Sequence, residues 1–80
     1  MIERFMRYYQ ACHCVKQSLR LQIDHGKIMD WGITIYHGDS ETFIFDEHGS
    51  SLNVLCAKAY IALEEWASGY MELEDIENNL

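Results

Sequence analysis

The sequence predicts a single α+β domain: a helix, a three-stranded antiparallel meander and a second helix, with both helices on one face of the sheet and an acidic tail at the end. Three observations carry this expectation. Apolar residues recur at intervals of three and four towards both ends of the chain, they alternate at every second position through the middle, and polar clusters containing Gly separate the alternating runs. With 80 residues and 9.4 kDa the chain is one domain. A domain of this size buries only about 60 to 65% of the surface its unfolded chain exposes, so a partner, a metal or a second copy is an expected source of stability.

The first helix is expected over residues 2–15, where Ile2, Phe5, Met6, Tyr9 and Cys12 fall on one face. The period then changes to two. Leu19, Leu21 and Ile23 alternate with Arg20 and Gln22 in a first strand over 19–23, ended by the turn signal Asp24-His25-Gly26. A second strand over 28–36 places Met29, Trp31, Ile33 and Ile35 on one face and Ile28, Asp30, Thr34 and Tyr36 on the other. Gly32, in the middle of that strand, marks a bulge or a close approach. After His37-Gly38-Asp39-Ser40, a third strand over 41–46 turns Phe43 and Phe45 inward and Thr42 and Ile44 outward. Glu47-His48-Gly49-Ser50 ends the sheet. A helix over 51–68 follows, capped by Ser50 or Ser51, striped by Leu52, Leu55, Cys56, Ala59, Leu63 and Trp66, and stopped by Gly69. The tail over 70–80 is either a short further helix or a frayed end.

Six basic residues against thirteen acidic ones give a charge of −7, which opposes direct binding to phosphate backbones. The charge is also unevenly placed. Residues 1–27 carry five bases and two acids, net +3, whereas residues 28–80 carry Lys58 against eleven acids, net −10. Glu64, Glu65, Glu72, Glu74, Asp75 and Glu77 lie within fourteen residues that contain no base. Hydrophobic residues at 49% exclude disorder. No apolar run has the length of a signal peptide or membrane span, so a cytoplasmic protein with three reduced thiols, Cys12, Cys14 and Cys56, is expected.

Each turn of the expected meander carries a His-Gly pair next to an acid. Alternate connections lie at one end of a meander, which makes Asp24, His25, Glu47 and His48 the candidate metal ligands. Their spacing matches no established metal motif, and ordinary solvated turns use the same residue types. Cys12-His13-Cys14 lacks the spacing of a zinc knuckle; on a helix its two thiols point about 200° apart, whereas on a strand they share a face and could chelate together. No catalytic signature or phosphate loop is present, and no enzymatic activity and no cofactor are expected. The six acids read as either a solvated helix face or a surface steered towards a basic groove. Beside the acids, Tyr36, Ile44, Tyr60 and Tyr70 are the candidate anchors of a protein interface.

The order of elements resembles the double-stranded-RNA-binding domain. That family grips phosphates with lysines at the start of its last helix. Here Ser51-Leu52-Asn53-Val54-Leu55-Cys56-Ala57-Lys58 holds a single lysine, so the layout is shared and RNA binding is not expected. In size, acidity and layout the chain is also similar to small inhibitors encoded by phages and mobile elements, the anti-CRISPR and other anti-defence proteins. That resemblance implies a stoichiometric inhibitor that occupies the basic channel of a nucleic-acid-handling host complex by mimicking phosphate charge. Two other readings stand beside it: a small-ligand or metal-binding protein using the His-Gly turns, and a homodimer or larger oligomer pairing through its bare sheet face.

Overall fold

The computed structural model describes residues 1–26, 30–38 and 42–80. Along the chain lie helix α1 (Ile2–Val15), strands β1 (Leu19–His25), β2 (Trp31–His37) and β3 (Thr42–Gly49), helix α2 (Leu52–Tyr70) and a short helix α3 (Leu73–Glu77). The strands form an antiparallel meander in the order β1-β2-β3. Helix α2 lies over β2 and β3, while α1 packs on α2 and α3 and touches β1 only lightly. Mixed α+β architecture with the helices on the sheet is thus as expected. Ile28, Met29, Asp39, Ser40 and Glu41, which the sequence reading placed in strands or turns, lie outside the described residues.

The core is apolar and continuous: Phe5 and Cys12 from α1, Leu19 from β1, Ile33 and Ile35 from β2, Cys56 and Leu63 from α2, and Ile76 from α3 are fully buried. On α1 the buried residues are Phe5, Tyr8, Ala11 and Cys12, whereas Ile2 is exposed. The stripe is rotated relative to the expected one because α1 is held between two helices. Tyr8 turns to α2, where its ring lies 4.9 Å from that of Tyr60. Tyr9 turns to β1, where its hydroxyl donates to the Leu19 carbonyl at 3.3 Å.

The register corrects the reading of β3. Ile35 pairs with Phe45 but Tyr36 pairs with Phe43, so Ile44 is an extra residue opposite no partner, a β-bulge. Phe45 faces the helices and is buried, whereas Phe43, expected inside, emerges on the opposite face and is 64% exposed. Ile44, expected on the bare face, leans against the core. Nor does the sheet end at Asp46: Glu47, His48 and Gly49 continue β3 and pair with Ile33, Gly32 and Trp31.

Helix α2 starts as its sequence demands, with the Ser51 hydroxyl accepting from the Val54 N–H at 3.2 Å. Its end differs. Gly69 does not stop the helix, which runs on to Tyr70 and breaks at the extended Met71, whose N–H donates to the Ala67 carbonyl. Stacking of Tyr70 on Trp66 four residues earlier, at 4.8 Å, and burial of Ala67 favour the extra turn over the modest cost of a helical glycine. The tail is ordered by Ile76, the only buried residue of α3.

Candidate functional site

Helices α1 and α2 run in the same direction. Arg4 lies over the Tyr60 ring at 5.6 Å, and Val15 and Lys16 line one depression with Ser68, Tyr70 and Met71. Both carboxyl ends, with their partial negative charge, therefore meet at one end of the molecule. Helix α3 adds its acids there. No basic residue occupies the last turn of α2 to offset them.

Two depressions flank this end. One of about 430 Å³ lies between α1, α2 and α3, floored by Tyr8, Ala67, Met71 and Ile76 and edged by Glu64 and Glu72. The other, of about 530 Å³, is lined by Lys16, Tyr70, Glu72 and Asp75 among others, so Glu72 stands on the ridge between them. Glu74 and Glu77 are exposed on α3 and line neither. Glu65 stands apart, on the flank of α2 that faces β3, beside Ile61 and Lys58 in a third depression of about 460 Å³. The structure thus gathers Glu64, Glu72 and Asp75 with the exposed α3 acids and leaves Glu65 on a separate side. All six are exposed, and among the described residues none of them forms an ion pair; Lys58 instead reaches Glu47 at 3.8 Å.

Of the four expected anchors, Tyr70 adjoins the acids gathered at the end of α2 and α3, 63% exposed and propped on Trp66. Tyr60 is half-buried between Tyr8 and Arg4. Tyr36 lies on the bare sheet face against Phe43, with ring centroids 6.1 Å apart, and Ile44 is withdrawn into the third depression. Leu73 of α3 is 65% exposed among the acids. Its spacing to Ile76 suited burial, but a helix of five residues offers the core one position and Ile76 takes it.

The candidate metal ligands do not converge. Asp24 and His48 flank Gly32 on the bare face, whereas His25 and Glu47 pair with Trp31 and Ile33 and share the helix-side face with them. His25 stacks on Trp31 at 4.0 Å, and the His48 ring lies over Gly32. Among the described residues no three His, Cys, Asp or Glu side chains are grouped to hold a metal ion. Cys12 is buried in α1 while Cys14 is exposed, and Cys56 is buried in α2.

Burial raises the Cys12 thiol to about 11, against a smaller lowering by its hydrogen bond with Tyr8. Burial also raises the Tyr8 phenol, with Cys12 adding to the shift. Both groups are protonated at neutral pH and unsuited to act as nucleophile or base. Among the described residues no helix is long and apolar enough to cross a membrane. The chain matches no protein-family model, no curated protein and no solved structure.

Proposed function

We propose that the protein is a non-enzymatic protein-binding module that lays the end of α2 and helix α3 against a basic surface of a partner. The observation that carries this reading is the exposure of Tyr70 and Leu73 among acids without ion-pair partners. A surface serving solubility alone mixes both signs of charge and keeps large apolar side chains few. Apolar anchors inside a mainly acidic rim, where Lys16 is the one base beside Tyr70 among the described residues, have the anatomy of an interface, in which the anchors supply affinity and the rim supplies orientation and encounter rate.

The partner class that suits such a surface is a nucleic-acid-handling protein, whose groove presents the complementary charge. Occupying that groove makes the module an inhibitor, and a host defence complex is the target implied by the likeness to anti-defence proteins. The reading predicts that a lysate treated with nuclease yields one nucleic-acid-handling complex on the wild-type bait and none on a bait with Glu64, Glu65, Glu72 and Glu74 changed to Lys. The purified complex then loses its nucleic acid when the wild-type protein is added. Equal capture by both baits, or nucleic acid that stays bound, overturns the reading.

A further inference from the structure

The sheet face turned away from the helices is arranged in three rows of cross-strand neighbours. Arg20 of β1, Tyr36 of β2 and Phe43 of β3 form one; Gln22, Thr34 and Asp46 the next; Asp24, Gly32 and His48 the third. Hydrogen bonds hold side chains within and between the rows, and the Arg20 guanidinium donates to the Gln17 and Leu19 carbonyls at 2.6 and 2.9 Å. Thr34 donates to Asp46 at 3.1 Å, and the Gln22 amide donates to the Asp24 carboxylate at 3.0 and 3.2 Å. His48 lies so close over Gly32 that a Cβ there would come within 2.8 Å of its ring. None of this requires an exposed aromatic ring. Yet the bulge at Ile44 turns Phe43 out of the core and onto this face beside Tyr36, leaving a large apolar side chain in water.

We propose that this face binds a second copy of the chain about a two-fold axis parallel to β2. Such an axis places β1 of one copy over β3 of the other with matching rows facing each other, and the contact is isologous. Every row is then complementary. Arg20 lies over the second copy's Phe43, a cation over an aromatic face. Gln22 meets the second copy's Asp46, a donor facing an acceptor, and Asp24 meets the second copy's His48. Tyr36 faces its own counterpart across the axis. A two-fold axis running across the strands instead sets Asp46 on Asp46, like charges at the centre of the contact, and the charges therefore select the first arrangement.

The face spans three strands about 4.8 Å apart and roughly five residues long, so the contact buries on the order of 800 Å² in total. That is below the size of a stable dimer interface. The association is accordingly reversible and depends on concentration.

Sedimentation velocity from about 10 μM to about 1 mM tests the proposal, and circular dichroism of each variant verifies its fold. The wild type is expected to rise from 9.4 kDa towards twice that mass across the series. Phe43→Lys places a cation over the second copy's Arg20 and is expected to weaken the dimer by at least about tenfold. Adding Arg20→Glu in the same chain restores a facing pair of opposite charge and recovers association. The variant with Lys at Glu64, Glu65, Glu72 and Glu74, altered only on α2, α3 and the residue that caps α3, dimerises as the wild type does, which separates this proposal from the partner-binding one. A monomer at every concentration overturns it. So does a folded Phe43→Lys variant that associates as the wild type, or a folded double variant that fails to recover.

Discussion

Gly69 is the residue whose replacement has the clearest sign. It lies inside α2, and a Cβ built on it meets nothing within 4 Å. Gly69→Ala therefore removes backbone freedom from the unfolded chain without a clash, and is expected to stabilise the protein by about 0.5–1 kcal/mol and raise Tm by roughly 2–8 °C. A lower melting temperature than the wild type would refute the continuous helix. The thiols give a second measurement: of the three, only Cys14 is exposed, so a colourimetric thiol reagent at pH 8 should react promptly with one per folded chain and with three after denaturation. Alkaline pH gives a third. Cys12 and Tyr8 keep their protons longer in the fold than in the unfolded chain. The unfolded state thus releases protons first as pH rises, and the contribution is whole below about pH 9 and lost towards pH 11. Melting temperature should hold steady between pH 7 and 8.5 and fall across that window; a flat profile to pH 11 would place both groups in contact with water.

At the scale of elements, periodicity was legible wherever one residue met one partner. β1 and β2 pair without a break, and Leu19, Ile33 and Ile35 lie in the core as their positions predict, whereas Ile23, expected on the same face, is exposed where the helices no longer cover β1. The phase of β3 was not legible, because a bulge is decided by pairing across strands and the run Thr42-Phe43-Ile44-Phe45 reads equally well in two phases. The end of α2 was misread for a related reason. A glycine stops a helix only if nothing beyond it gains from continuing, and the Trp66–Tyr70 stack supplies that gain. For α3, packing is again the deciding term. Ile76→Ala is expected to destabilise the protein by about 2–4 kcal/mol, since the side chain is buried and five residues have no helical stability of their own. A Tm within a degree or two of the wild type would mean that α3 is not anchored by Ile76.

Over the whole molecule, the sequence made the charge layout visible and hid its geometry. Six acids in fourteen residues read as one surface, but Glu64 and Glu65 are consecutive on a helix and so diverge by about 100°, which sends Glu65 to the β3 side and Glu64 to α1. The candidate metal ligands were separated by the same kind of geometry, since neighbours in a strand occupy opposite faces. With a net charge of −7 and acids clustered at the ends of parallel helices, self-repulsion lowers stability in dilute buffer. Raising salt from about 20 to about 500 mM at pH 7 should increase Tm by several degrees, and the gain should shrink in the variant with Lys at Glu64, Glu65, Glu72 and Glu74.

The seating of α3 on α1 also governs the order of events during synthesis. Ile76 completes the surroundings of Tyr8, so α1, once made, waits until α3 has followed it before its core is closed. At about 5–20 residues per second the wait is several seconds, to which the ribosomal exit tunnel adds more. During it, Phe5 and Cys12, buried in the finished fold, lack their cover, and a helper that shields nascent apolar helices would act on this chain before α3 emerges.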